Sequence, residues 1–327
     1  MLWAFLLLLV FGVVKLTFLQ APKAARTAVI VIEKGQSTAQ VAQKLARVGI
    51  ISNVYTFRAY AVLTQTETNL QPGKYRLKSD MTYDDILDKL TKKKADPPVK
   101  VMIPEGFTVT EIAETLAEKT DRPAVDYLEY MRGQGVSQIR PAQMPLDLKT
   151  VEGYLFPKTY LFHKQDHPKK IVARMIEQFE LEVTNIDWAY AKEKDLSVHQ
   201  ILTIASLVEK EARVPAERAI MAAVIYNRID KGMPLQIDAT VQYALPQRKE
   251  ALSEEDLKIA SPYNTYQQIG LPPGPISNPG IDSIKASLEP AQVDFLYYVL
   301  TSPDGSHTFT SNYNEFLKAK KGAGLGN

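Results

Sequence analysis

Ile32-Glu33-Lys34-Gly35-Gln36-Ser37-Thr38-Ala39-Gln40-Val41-Ala42-Gln43-Lys44-Leu45 holds one complete structural unit. The β-branched run Val29 to Ile32 reads as a short strand. Gly35 then turns the chain. Ser37 is a hydroxyl N-cap, Gln40 stands three residues on, where it can return the bond, and Val41, Ala42 and Leu45 follow at helical spacing. The pattern recurs as Thr82-x-x-Asp85-Ile86-Leu87-x-x-Leu90 and as Thr108-x-x-Glu111-Ile112-Ala113-x-x-Leu116, the latter after Ile103-Pro104-Glu105-Gly106. Strand, turn and short helix are the parts of α+β modules, so α+β is the expected fold class.

Outward from these units the chain changes character. Leu2 to Leu19 is apolar apart from Gly12, Lys15 and Thr17. Eighteen residues at ~1.5 Å each reach roughly 27 Å, enough for a bilayer core. No basic residue precedes the run and no A-x-A pair occurs between Phe18 and Ala28, so it reads as a transmembrane anchor over 1–20 rather than a cleaved signal. Lys15, Lys23 and Arg26 all follow the span, which leaves its orientation undecided by charge. Ala21 to Ala28 reads as a stalk. Lys92-Lys93-Lys94-Ala95-Asp96-Pro97-Pro98 reads as an exposed connector and a domain boundary. The repeated units resemble LysM-like modules, which bind glycan chains in cell walls.

The 327 residues carry 39 Lys+Arg against 37 Asp+Glu, a net +2, too balanced for nucleic-acid binding as the main task. Hydrophobic residues at 45% suit a folded chain with room for about two domains. The absence of cysteine excludes disulfides, thiolate metal sites and a Cys nucleophile. The four histidines form no metal-binding pattern, and neither metal nor cofactor is expected.

Helix signals dominate the second half. They cover Pro168 to Ile186, a capped helix from Ser197 that Val214-Pro215 stops or bends, and Ala216 to Lys231 with Gly232 as its C-terminal cap. Ser261 to Gly280 holds five prolines and three glycines and reads as a long loop of the kind that lines sites.

On a helical wheel from Ser197 to Val214, Ile201, Ile204, Ala205, Val208 and Ala212 share one face, and Thr203, Ser206, Lys210 and Arg213 form the expected wet face. Glu209 and Glu211 stand at the two flanks. Glu209 has Arg213 four residues on, the favourable order for an ion pair. Glu211 has Leu207, Val208, Val214 and Pro215 around it and no cation on its own helix. A carboxyl so placed should keep its proton to higher pH, as a general acid requires. The alternative is a cationic partner from elsewhere, such as Arg218 or Arg228. A lone acid points to glycosidic bonds. Hydrolysis would need a second carboxylate, for which Asp238, Glu152 and Asp282 are candidates. Without one, the sugar's own hydroxyl can attack.

These residues resemble the endolytic murein lytic transglycosylases, the MltG/YceG-like family. Ala205-Ser206-Leu207-Val208-Glu209-Lys210-Glu211 is similar to its signature. So are Glu152-Gly153-Tyr154-Leu155-Phe156-Pro157-Lys158-Thr159-Tyr160, Asn227-Arg228, Leu235-Gln236-Ile237-Asp238-Ala239-Thr240-Val241, Tyr263-Asn264-Thr265-Tyr266 and Gly270-Leu271-Pro272-Pro273-Gly274-Pro275-Ile276, in that order. The resemblance implies a single-pass inner-membrane protein with a LysM-like module over 27–95 and a YceG-like catalytic domain over 99–327, within which 99–150 could form a second LysM-like subdomain. The usual basic residues before the span are absent here. It implies non-hydrolytic cleavage of the β-1,4 bond between N-acetylmuramic acid and N-acetylglucosamine inside nascent peptidoglycan strands, leaving a 1,6-anhydro end and stopping elongation near the synthases. Glu211 on its helix maps to the catalytic residue, acid first and base second. By their chemistry Glu152, Tyr154, Gln236, Tyr263, Asn264, Tyr266 and Asn278 are assigned to the substrate, with Glu209 and Asp238 supporting. The expected partners are glycan strands, the inner membrane and wall synthases, with the chain a monomer. The rival expectation is a glycan-binding membrane scaffold that recruits synthases without catalysis.

Overall fold

The structure, a computed structural model, describes residues 26–92 and 97–324. The anchor read over 1–20 and most of the lysine-proline connector lie outside these residues. Among the described residues no helix is long and apolar enough to cross a membrane. The chain divides into two compact units, before and after Pro97.

The first unit runs β1 (Thr27–Ile32), α1 (Thr38–Arg47), α2 (Val54–Leu63), β2 (Gly73–Lys78) and α3 (Tyr83–Thr91). The strands pair antiparallel, Ile30 opposite Tyr75. Strand alternation sends Ile30 and Ile32 into the core and leaves Val29 and Val31 outside. Val41, Ala42, Leu45, Phe57, Leu77, Ile86 and Leu90 complete a core made wholly of this unit's residues. Ser37 with Gln40, and Thr82 with Asp85, form reciprocal capping boxes. Gly35 turns β1 into α1 at φ +86°, a conformation that favours glycine.

The second unit contains β3 (Val99–Met102), α4 (Val109–Lys119), α5 (Ala124–Met131), β4 (Thr159–Phe162), α6 (Pro168–Val183), α7 (Ala189–Glu193), α8 (Val198–Glu211), α9 (Arg218–Asp230), α10 (Asp238–Ala244), α11 (Ile281–Leu288), β5 (Tyr297–Leu300), β6 (His307–Thr310) and α12 (Tyr313–Gly322). The third repeat, β3 with α4 and its Thr108–Glu111 capping box, belongs here. β3 pairs with β4, Val101 opposite Tyr160, and α4 shares one core with Tyr154, Phe179, Ile201 and Ile284. Within 99–150, β3 takes its strand partner from beyond 150, and the buried residues of this stretch share one core with residues beyond 150. Mixed helix and sheet in both units make the fold α+β.

Helix α8 stands between two cores. One holds Ile201, Leu202 and Ala205, the other Ile204, Leu207 and Val208 with Met221, Ile225 and Ile276. The expected wet face is a correction: Thr203 and Ser206 are buried. Their hydroxyls donate to the carbonyls of His199 (2.8 Å) and Thr203 (2.7 Å), which lets them sit inside. The helix also ends at Glu211, three residues before Val214, with Ala212 already extended. The loop before α11 has no helix or strand after Ser261, yet Ser277 and Asn278 in it are fully buried.

Candidate active site

Ser197 and Gln200 cap α8 at its start, and packing on all sides fixes its axis. Glu211, the last helical residue, is half-buried where the chain leaves the helix. The C-terminal end of a helix is the unfavourable end for an anion. The Tyr298 hydroxyl on β5 donates to Glu211 Oε2 at 2.9 Å, and the backbone N–H of Ala239 on α10 also bonds to the carboxylate. Burial pushes the Glu211 pKa above the usual carboxylate range. The Tyr298 hydrogen bond opposes this, the charge of Asp238 adds to it, and His307 and the Ala239 N–H pull back down.

Neither proposed arginine pairs with Glu211. Arg228 donates from Nε to the Leu296 carbonyl (2.6 Å) and from Nη1 to those of Pro234 and Leu235 (3.2 and 2.7 Å). Arg218 Nη1 lies 3.9 Å from Asp282. Of the three candidates for a second carboxylate, Asp238 is the one whose charge bears on Glu211. It is exposed, and Tyr266 donates its hydroxyl to Asp238 Oδ1 at 2.6 Å.

The ion pair expected between Glu209 and Arg213 does not form. Arg213 lies past the helix end, packed against Gly305, while Glu209 Oε2 accepts from Gly280 N–H (3.0 Å) and Ser283 Oγ (2.7 Å). Glu209 thus satisfies the start of α11.

Four residues assigned to the substrate are buried, with their polar atoms engaged inside the fold. Glu152 accepts from Val109 N–H (3.0 and 3.2 Å), Asn278 Nδ2 (2.8 Å) and the Tyr243 hydroxyl (3.3 Å). Asn278 also donates to the Phe107 carbonyl and accepts from Gly153 and Leu155 N–H. Asn264 donates to the Leu257 and Ile259 carbonyls and accepts from Tyr266 N–H. Tyr154 meets His199 Nδ1 at 3.0 Å, and His199 Nε2 meets the Pro273 carbonyl at 3.0 Å. That set suits a neutral ring with its proton on Nε2, in keeping with burial holding the His199 pKa below its usual value. Gln236 is exposed at φ +51°, two residues before Asp238 in the segment leading into α10, and Tyr263 and Tyr266 are half-buried.

Tyr298, the Ala239 N–H and the pair Glu217–His307 are the groups that sequence reasoning missed. Tyr298 stands 87 residues after Glu211 in a four-residue strand, and no local pattern marks it. Among the described residues no group of three or more acidic or histidine side chains could hold a metal ion.

Fold and site define an α+β protein built around a single half-buried acid at a helix end, with tyrosines and one exposed aspartate beside it. The chain belongs to the YceG-like family, whose profile matches residues 30–322. It is 36% identical over 301 residues to the endolytic murein transglycosylase of Bacillus subtilis (strain 168), covering 89% of this chain and 83% of that protein. The protein of the same description from Streptococcus pneumoniae (strain R6) is 30% identical over 310 residues, 87% of this chain and 56% of its own length. The crystal structure of a yceG-like protein from Listeria monocytogenes superposes with a TM-score of 0.62 at 32% identity, covering 90% of this chain and 99% of that one.

Proposed function

We propose that this chain is a peptidoglycan lytic transglycosylase that cuts glycan strands internally at the β-1,4 bond between N-acetylmuramic acid and N-acetylglucosamine. Glu211 gives its proton to the glycosidic oxygen as the bond to the muramic C1 breaks. The muramic C6 hydroxyl then attacks C1 and returns its proton to the Glu211 carboxylate. A 1,6-anhydro end forms, no water is consumed, and the acid is restored. The observation that carries this reading is a half-buried carboxyl at the end of a rigid helix, paired with no arginine among the described residues. The names of its relatives agree with it.

In the same reading residues 1–20 anchor the chain in the inner membrane, with both units on the periplasmic side near the synthases, where cutting ends strand elongation. The first unit acts as a LysM-like glycan hold. A cleft of about 800 Å³ in it, lined by Ser37, Thr38, Tyr55, Arg58 and Glu67 among others, supports that part.

Asp238 beside Glu211 favours one rival, hydrolysis with a carboxylate pair. Incubation with uncrosslinked glycan strands and mass analysis of the products separates the two. Anhydro ends are expected. Ends that have gained one water, with no anhydro ends, would mean a hydrolase. Glu211→Gln should abolish cleavage and leave the fold intact. Normal wall growth in cells carrying that variant would support the non-catalytic scaffold instead.

A further inference from the structure

Tyr298 and His307 bear on Glu211 and take no part in the proton transfers, and Glu217 pairs with His307. Tyr298 donates to one carboxyl oxygen, Oε2. A carboxylic acid has one hydroxyl oxygen, and an oxygen that accepts a phenol proton is the poorer place for the acid's own. Tyr298 therefore fixes the orientation of the carboxyl through Oε2.

The place of Tyr298 is itself set by the strand pair β5–β6, in which it stands opposite Phe309. Glu217, six residues after Glu211, grips that hairpin at both of its oxygens. Oε1 accepts from the His307 backbone N–H at 2.9 Å, and Oε2 lies 2.7 Å from His307 Nδ1. Both side chains are nearly buried. The His307 ring meets that of Tyr298 edge-on, with centroids 5.7 Å apart. Arg228 secures the other end by donating to the Leu296 carbonyl. The segment that ends α8 thus also fastens the hairpin that reaches back over its last residue.

We propose that Tyr298 is a positioning residue for Glu211, and that the Glu217–His307 clasp holds it in register with the carboxyl. This rests on Glu211 being the acid. The titratable and charged groups facing Glu211 are Asp238 on α10, Tyr266 in the loop before α11, Tyr298 on β5 and His307 on β6, with Arg228 of α9 next to the two tyrosines.

The test uses the full chain in detergent. Tyr298→Phe removes a donor that favours the carboxylate, so Glu211 should hold its proton to higher pH. Two readouts follow. The alkaline limb of the pH–kcat profile on uncrosslinked strands should move to higher pH, with kcat down roughly tenfold and KM little changed. Without substrate, the carboxyl titration seen as the difference between each protein and its Glu211→Gln counterpart should move the same way. Glu217→Gln, which leaves the tyrosine in place and loosens the clasp, should shift both in that direction by less, and it decides the matter if Tyr298→Phe does not fold. A loss of activity with both titrations unmoved would overturn the inference and leave Tyr298 a packing residue. Cleavage surviving in Glu211→Gln alone would instead remove the assignment of the acid, an outcome the substrate-free titration keeps separate.

Discussion

Glu152 and Glu211 are both carboxyls whose pKa burial raises, and they differ in what they can reach. Glu152 is wholly enclosed, and burial pushes its pKa up to about 8 despite the opposing Val109 hydrogen bond. A carboxyl whose folded pKa lies above its unfolded 4.5 stabilises fully below that value and loses the contribution as pH rises through the folded one. The thermal stability of the second unit should therefore decline from about pH 4.5 to about 8. Glu152→Gln keeps an acceptor for Val109 and has no proton to lose. It should flatten that decline and exceed the wild type above pH 8 by on the order of 1 kcal/mol or more in chemical unfolding. Glu211 was legible because its apolar neighbours come from its own helix, at spacings the sequence displays. Glu152, Tyr154, Asn264 and Asn278 are buried with their polar atoms engaged, which the sequence does not display, because an exposed polar contact and a saturated buried one use the same residue types. Tyr298 was invisible for a different reason: a single hydroxyl brought across a hairpin leaves no trace in local spacing.

Helices start where the sequence says they should. All four hydroxyl caps, Ser37, Thr82, Thr108 and Ser197, form reciprocal boxes, because cap and responder lie three residues apart and need nothing from the rest of the chain. Ser197→Ala should cost about 1 kcal/mol, read as a lower urea midpoint for the second unit at an unchanged m-value. Since the cap is at the far end of α8 from Glu211, the pH profile of cleavage should not move. Faces and ends of helices were harder to read. A wheel assumes one wet side, but α8 is enclosed by two cores, and Ser206 even accepts the Ile276 N–H across 70 residues. Pro215 pushes Val214 into an extended conformation and so marks an end there in the sequence, while the chain leaves the helix at Ala212. That shift took Arg213 off the helix and freed Glu209 to serve α11.

At the level of the molecule, each unit has its own core. The buried residues of the first all lie between Ile30 and Leu90, and the cores of the second begin at Val101. Expressed apart, 97–324 should melt cooperatively near the transition of the same unit in the whole chain. The 26–92 fragment should fold with a small free energy, as a chain of roughly 60–70 residues must. A fragment 97–324 that failed to melt cooperatively would refute this independence. Local periodicity, capping and the Pro-rich break are written in neighbouring residues, so helix starts, the α+β class and the dry flank of Glu211 could be read without coordinates. Which strand pairs with β3, what encloses α8 and which hydroxyl meets the acid depend on groups about 60 to 90 residues apart. Such contacts arise from closure of the whole core, where burial and hydrogen-bond satisfaction are settled jointly, and no stretch of chain encodes them alone.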